Sequence, residues 1–398
     1  MSGVSGIPAI PWHRPMSGRD PDEAHRSATP LELFFDLCFV VAVAAAAATL
    51  HHDLALGHLS GLVGYAMVFF AIWWAWVNYS WFASAYDSGD IIFRLLTFVV
   101  MTGVLVVAAG TPRAAEHQDF GMLVVGYVIM RVALIPGWLR VAREHPAARR
   151  TALRYATAVG VIQVLWILRT IFVAHSAFDG VSFVALALLE MAAPYWAEHV
   201  SAGTPWHRHH IAERYELFTI IVLGEVILAT TQAISSTLDD HGLEPQLLLL
   251  IVGALLMVFS MWWFYFKRPM VESLTPATAF LFGYVHYFVF ASVAAVGACL
   301  AVLVDVIEHH AHLEPRVALL LLAGAASVYI LVLSGLHTLA DRAFSTAVPA
   351  LIVIVAMVVV ALLGLEPGTS VLLMGLAMAA SLADHIRRTN RAARTPTL

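Results

Sequence analysis

Charged residues are scarce in this chain of 398 amino acids, where aspartate, glutamate, lysine and arginine together make up only 12%. Hydrophobic residues account for 60% and the mean hydropathy is +0.81, so there is too little polar surface to face water on all sides. This shortage excludes an ordinary soluble domain and indicates a polytopic membrane protein. Cysteine is also rare: Cys38 and Cys299 lie in different apolar segments and form neither a disulfide framework nor a metal motif.

Familiar catalytic and nucleotide-binding motifs are absent as well. The sequence has no Walker motif, dinucleotide glycine fingerprint, HExxH or nucleophile elbow, so ATP hydrolysis, Rossmann chemistry and zincin-type proteolysis are unsupported. The formal net charge is −5 and no basic patch with interleaved aromatics is present, which argues against a nucleic-acid partner. His209 and His210 precede Glu213 by four and three residues, but zinc normally needs three protein ligands. We therefore predict no metal and no cofactor.

Apolar runs of about 20 residues, the length that crosses a hydrocarbon core of ~30 Å, fill most of the chain. Residues 1–28 are polar, rich in proline and free of an apolar core, as is typical of a cytoplasmic tail. We predict an all-α membrane protein with about twelve transmembrane helices. The predicted spans are residues 31–50, 61–84, 91–110, 120–142, 153–174, 180–199, 215–236, 246–266, 277–304, 316–339, 346–365 and 368–385.

The distribution of positive residues predicts the orientation of these spans. With the N-terminus inside, the cytoplasmic segments hold most of the arginines and Lys267, whereas the outside loops hold only Arg113 and Arg316. The outside loops are acidic and rich in histidine instead, as in His51-His52-Asp53 and Glu308-His309-His310. An even number of spans with both termini in the cytoplasm follows from this asymmetry.

Two pairs of short strings occur in the same order in both halves of the chain. Glu32-Leu33-Phe34 matches Glu216-Leu217-Phe218, and Trp73-Trp74 matches Trp262-Trp263 in the next span. Six spans in each half would give both copies the same orientation, so we predict two parallel six-helix repeats, residues 29–200 and 201–398. Chance is the alternative, since such strings are common in apolar sequence. In a true repeat the first and seventh helices are equivalent and line the interface between the halves.

The first predicted helix carries two acids on one face. Thr29-Pro30-Leu31-Glu32 has the pattern of a capping box, which alone would explain Glu32. Asp36 lies one turn further into the membrane, where capping gives no reason for a carboxylate. If the first and seventh helices touch, Asp36 would be able to reach Arg214 or Arg208. Glu213 and Arg214 are expected at the cytoplasmic mouth, where an interfacial salt bridge is the simpler interpretation.

The stretches TPLELFFDL and HHIAERYELFTIIVLGEVIL resemble the motifs of the bacterial low temperature requirement A family. The resemblance covers both halves and implies a multi-pass protein of the bacterial cytoplasmic membrane. A departure is Val226, which follows Glu225 where a small polar residue is common. The family is named after a growth phenotype, so the resemblance implies no reaction. The residues that carry the family pattern are Glu32, Asp36, His210, Glu213, Arg214, Gly224 and Glu225.

Four ionisable residues are predicted near the membrane midplane. Glu225 is about 12 Å from the start of its span, and Arg131, Glu190 and His286 are about 15 Å from the starts of theirs, at ~1.5 Å per residue. Such residues usually face the bundle interior with a partner. Arg131 is expected to neutralise Glu190 or Glu225 in a static ion pair. Because one cation cannot serve two acids fully, the acid left over is expected to hold a proton, and we favour Glu225 for this role.

Aromatic residues are concentrated in the second span, from Trp73 to Trp81, and again around Trp262. An interfacial belt is the favoured interpretation, and a cavity that holds a cation over aromatic faces is the alternative. Two functions are carried forward for the whole chain. The first is a secondary, proton-coupled transporter of a small molecule with a site between the halves. The second is a membrane-embedded enzyme that uses acid catalysis on a lipid or isoprenoid-like substrate.

A sensory or assembly role is a third possibility, in which all midplane charges would be paired. The lipid bilayer is the expected surrounding in every case, and an oligomer is compatible with the sequence. The substrate cannot be deduced from the residues.

Overall fold

The computed structural model describes residues 10–394 apart from 22, 24–25, 175, 200–202, 242–243 and 342–346. Within these residues the chain forms twelve α-helices and two short 3-10 turns, with no strand. The predicted all-α class is confirmed. The helices are α1 (Pro30–Ala55), α2 (Gly61–Tyr86), α3 (Ile91–His117), α4 (Gly121–Glu144), α5 (Arg149–Phe172), α6 (Asp179–Glu198), α7 (Arg208–His241), α8 (Pro245–Phe266), α9 (Ala279–Ile307), α10 (Pro315–Asp341), α11 (Ala347–Leu362) and α12 (Pro367–Arg394).

Every predicted span coincides with one of these helices. Eleven helices of the described chain are long and apolar enough to cross a membrane. The apolar part of α11, Val348–Leu362, is shorter and extends only about 22 Å at ~1.5 Å per residue. The chain is therefore a multi-pass membrane protein. Helix α11 alone is too short to cross a core of ~30 Å.

Several helices extend beyond the predicted spans. The third span was predicted to end at residue 110, but α3 continues through Pro112 to His117. A proline inside a helix removes a single N–H donor, and the remaining turns keep their hydrogen bonds. The helix ends instead at Gln118, whose φ of 54° is left-handed and whose N–H group bonds to the carbonyl of Arg113.

The chain divides into two compact units, and each unit is made of two separate stretches of the sequence. The first unit comprises Met1–Ala42 and Trp74–Ile211, and the second comprises Val43–Trp73 and Ala212–Leu398. The later part of α1 and the earlier part of α2 therefore belong to the second unit. The proposed halves 29–200 and 201–398 and their parallel repeat stay predictions.

In the first unit α3 and α4 pack closely, followed by α5 against α4 and α6 against α5. Glycines make the first of these contacts possible, since a Cβ on Gly103 would lie 2.6 Å from the Gly126 carbonyl oxygen and the reverse distance is also 2.6 Å. Small residues commonly let two membrane helices approach in this way.

Residues 10–21, which precede α1, are bound to other parts of the first unit. The backbone N–H group of Arg14 donates to Asp90 Oδ2 at 2.8 Å, and Met16 is fully buried. Asp90 also caps α3 by accepting from the N–H group of Phe93 at 2.8 Å. Burial opposes ionisation of Asp90, but hydrogen bonds from Arg140 and from these two N–H groups outweigh it and lower the pKa of Asp90 to about 2.

In the second unit α8 and α12 pack closely, and α9, α10, α11 and α12 contact one another in succession. Gly253 and Gly375 let α8 and α12 cross closely, because a Cβ on Gly375 would lie 2.5 Å from the Gly253 carbonyl oxygen. Helix α9 is buried over most of its length. The second unit is therefore built around α9 and the paired helices α8 and α12.

Candidate functional site

The capping box predicted at the start of α1 is confirmed. The backbone N–H group and the hydroxyl of Thr29 donate to Glu32 Oε2 at 2.9 and 3.0 Å. In return, the N–H group of Glu32 donates to the Thr29 hydroxyl oxygen at 3.3 Å. Capping is therefore one function of Glu32.

Glu32 has a second contact that capping did not predict. His210 Nε2 lies 3.1 Å from Glu32 Oε1, and both side chains are fully buried. His207 orders this part of α7, because its Nδ1 accepts from the N–H group of His210 at 3.1 Å while its Nε2 donates to the carbonyl of Glu23 at 2.7 Å. The first turn of α7 thus lies against the first turn of α1 within the first unit.

Asp36 is buried one turn further along α1. Its Oδ1 accepts a hydrogen bond from Trp76 Nε1 at 2.8 Å, and both residues are inaccessible to solvent. The ring of the preceding residue, Phe35, stacks on Tyr79 with 4.0 Å between centroids. The acid is therefore held by an indole N–H donor, and its expected contact with Arg214 or Arg208 stays a prediction.

Arg131 and Glu190 form a buried ion pair near the middle of α4 and α6. Arg131 Nη2 lies 3.1 Å from Glu190 Oε1 and 3.2 Å from Oε2. Trp74 Nε1 donates to Glu190 Oε2 at 2.8 Å, and the Arg131 guanidinium lies 5.3 Å from the centre of the Tyr127 ring. Glu190 and Glu225 were the two predicted partners of Arg131, and Arg131 binds Glu190.

Glu225 occupies a very different environment on α7. Glu225 is only 8% exposed, and no residue of the described chain forms a hydrogen bond or ion pair with its carboxyl group. A Cβ on the preceding residue, Gly224, would meet open space. The next residue, Val226, packs on Gly297 of α9. Glu225 is therefore a buried acid beside an open position of its own helix.

His286 was expected as a midplane ionisable group, and the structure places it among hydrogen bonds that suit a neutral ring. Its Nδ1 lies 2.6 Å from the Phe282 carbonyl, which can only accept, so Nδ1 carries the proton. Its Nε2 then accepts from the Tyr265 hydroxyl at 3.1 Å. The Tyr215 ring packs edge-on against the imidazole. His286 is a satisfied structural residue of the second unit.

The two charged residues expected at the cytoplasmic mouth differ in burial. Arg214 is fully buried one turn after His210 on α7, whereas Glu213 is half-buried. Glu216, one turn further than Glu213, accepts from the Met270 N–H group at 3.2 Å. An interfacial salt bridge formed by Glu213 and Arg214 stays a prediction.

The belt interpretation is wrong for three tryptophans of α2. Trp73, Trp74 and Trp76 are completely enclosed in the middle of that helix, where Trp73 meets Tyr287 with 5.4 Å between ring centroids. Trp262 behaves as expected of a belt residue, since it is 45% exposed near the end of α8. The two tryptophan pairs that suggested a repeat therefore occupy unlike environments.

Sequence reasoning missed three groups that organise these clusters. The indole N–H donors of Trp74 and Trp76 were seen only as aromatic surface, although a buried tryptophan usually finds an acceptor. His207 was not considered, although its position three residues before the N–H group that it caps is a recognisable signal.

The fold and these buried ionisable clusters define an all-α, multi-pass membrane protein in which several buried carboxylates are bonded to residues of neighbouring helices. The similarity suggested by the motifs of α1 and α7 covers most of the chain, since the family model of the bacterial low temperature requirement A protein matches residues 27–383. The chain belongs to that family.

A curated protein is similar to part of this chain. The uncharacterized protein RA0937 of Rhizobium meliloti (strain 1021) is 31% identical over 243 residues, which are 59% of this chain and 57% of the relative. The matched region thus spans a little more than half the length of that relative. No solved structure matches the chain.

Proposed function

We propose that this chain is a proton-coupled secondary transporter of a small molecule and that Glu225 carries the proton. The observation behind the proposal is Glu225 itself, a residue only 8% exposed at membrane depth, whose carboxyl group no described residue neutralises or hydrogen-bonds. A carboxylate that is removed from water without a partner is costly, so its charge must be balanced by a proton or by a cationic ligand. A group of this kind can bind a proton in one state and release it in another.

The pairing of the other acids strengthens this assignment. Arg131 and Trp74 satisfy Glu190, Trp76 satisfies one oxygen of Asp36, and Glu32 is held by Thr29 and His210. To exchange a proton, each of these acids would have to break its contacts, which costs free energy. Glu225 has no such contact with a described residue to break. Among the acids that the sequence placed deep in the membrane, Glu225 is therefore the best suited to exchange protons.

The enzyme alternative has less support. It requires tryptophan faces that surround a developing positive charge. The edges of Trp74 and Trp76 instead point their N–H groups at carboxylates, and the ring of Trp73 is packed among tyrosines. These aromatics fit a role in fixing acids and packing α2.

A search for the transported molecule tests the proposal. Purified protein in vesicles on a sensor surface would be exposed to amines, amino acids and prenyl compounds, with and without a pH gradient. We expect one class to evoke a current that depends on the gradient. Turnover of a lipid or prenyl compound without any solute current would support the enzyme alternative and contradict transport.

We place the chain in the bacterial cytoplasmic membrane with both termini in the cytoplasm, on the basis of its arginine distribution. In a background without Cys38 and Cys299, cysteines at two exposed positions, His310→Cys and Arg149→Cys, should report opposite faces. An impermeant thiol reagent applied to intact cells is expected to label His310→Cys alone. Equal labelling of both variants would refute this orientation, and labelling after cell lysis confirms that Arg149→Cys is reactive.

A further inference from the structure

A cavity of about 310 Å³ lies in the second unit where α8, α10 and α12 end and α11 begins. Its volume is at the lower end of small-molecule pockets, which measure about 300–1,000 Å³. All four helix ends belong to the predicted cytoplasmic side. The ionisable residues described around the cavity are Lys267, Arg268, His337, Asp384, His385 and Arg388.

Positive charge exceeds negative charge in this lining. Among the described residues that line the cavity, Asp384 is the single carboxylate, and it is bound by Arg388 at 2.7 Å. Lys267 has no hydrogen bond or ion pair with the described residues, and its ammonium lies 5.7 Å from the centre of the Phe264 ring. Burial, followed by the nearby charge of Arg268, lowers the pKa of Lys267 to about 8. An anion in the cavity would offset both the burial of the Lys267 ammonium and its repulsion by Arg268.

His337 supplies an independent observation. It is only 2% exposed, and neither ring nitrogen has a hydrogen-bond partner in the described chain. An imidazole carries at least one N–H group in every protonation state, so a buried donor is left without an acceptor. Buried polar groups are rarely left in this condition.

His286 in the same unit shows what a purely structural histidine looks like. Its Nδ1 donates to the carbonyl four residues earlier, and its Nε2 accepts from Tyr265. His337 also lies on a helix with such a carbonyl, yet it does not use it. Helix packing alone therefore explains His286 and leaves the ring of His337 without a role.

We propose that this cavity binds the phosphate group of an anionic ligand, with Lys267, His337 and Arg268 as its donors. Phosphate accepts hydrogen bonds at several oxygens and suits both ammonium and guanidinium groups. Phe264, Leu333 and Val353 line the remaining wall, which suits an acyl chain attached to the phosphate. Basic pockets between membrane helices on the cytoplasmic side are places where phospholipid headgroups bind. The proposal does not rest on Glu225 or on transport.

Quenching of tryptophan fluorescence by brominated lipids tests the lipid source of the phosphate. The full chain would be placed in phosphatidylcholine vesicles with increasing amounts of brominated phosphatidylglycerol, and exposed Trp262 on α8 provides a reporter. We expect the wild type to prefer phosphatidylglycerol and Lys267→Gln to lose about tenfold of that preference. Inorganic phosphate added to pure phosphatidylcholine vesicles tests whether a soluble phosphate binds. We expect phosphate to raise the Tm of the wild type and to leave the Tm of Lys267→Gln unchanged.

Arg387→Gln is the matched control, because Arg387 is exposed next to Arg388 and does not line the cavity. It removes one positive charge from the same face, and we expect a change of about threefold or less. His337→Leu removes the buried donor without adding another polar group. It should weaken phosphatidylglycerol or phosphate binding while keeping or raising Tm in neutral vesicles. A fall in Tm there would mark a structural role.

Protection by phosphate alone would identify a soluble anion, and preference for phosphatidylglycerol alone would identify a lipid. The proposal is overturned if neither probe binds. It is also overturned if Arg387→Gln weakens binding as much as Lys267→Gln, because the attraction would then be general to that face.

Discussion

Replacing Arg131 with methionine is expected to lower the free energy of unfolding by about 3–5 kcal/mol, the usual cost of removing one member of a buried ion pair. Glu190 would retain only the Trp74 N–H group as a donor, with its charge enclosed between α4 and α6. Unfolding in mixed detergent micelles measures the change.

Two further variants separate the ion pair from general damage. Arg131→Met combined with Glu190→Gln should recover most of the stability, because a buried pair can often be replaced without net cost once both charges are gone. Arg19→Met breaks the half-exposed pair with Glu23 and should cost about 1 kcal/mol or less. A loss below about 1 kcal/mol for Arg131→Met, or no recovery in the double variant, would contradict the static role given to this pair.

Glu225→Gln is expected to reduce proton-coupled transport to the level of vesicles without protein. Glutamine keeps the size and hydrogen-bonding capacity of the side chain and fixes it in the neutral form, so the position can no longer exchange a proton. Folding should be unaffected, since no described residue depends on a bond to the Glu225 carboxyl group. We therefore expect an unchanged elution profile and a change in Tm within measurement error, together with the loss of coupling.

Glu216→Gln provides the matched control on the same helix. Glu216 is half-buried and its Oε1 accepts from the Met270 N–H group, a bond that a glutamine oxygen can replace. This variant should keep both transport and its pH profile. Wild-type activity with an unchanged pH profile in Glu225→Gln would make Glu225 a packing residue.

The features that sequence reasoning predicted are those with a local cause. Long apolar runs predicted the positions of all twelve helices, and the spacing of Thr29 and Glu32 predicted the capping box. The ion pair between Arg131 and Glu190 was one of two predicted alternatives, because two opposite charges at equal depth attract each other.

The features that were missed depend on contacts between residues far apart in the chain. The N–H group of Trp76 meets Asp36, and that of Trp74 meets Glu190, although nothing in the sequence relates these positions. The basic cavity was missed for the same reason. Lys267 and His337 belong to different helices, and Lys267 had been explained fully by its cytoplasmic position.

Proton entry into vesicles is the measurement that tests the central claim most directly. Protein would be reconstituted around an internal pH dye, and the solute identified by the current screen would be added outside together with an inward proton gradient. The wild type and Glu216→Gln are predicted to acidify the interior when the solute is present, and Glu225→Gln is predicted to leave it unchanged. Solute-driven acidification by Glu225→Gln at the wild-type rate would contradict the assignment of Glu225 as the proton carrier.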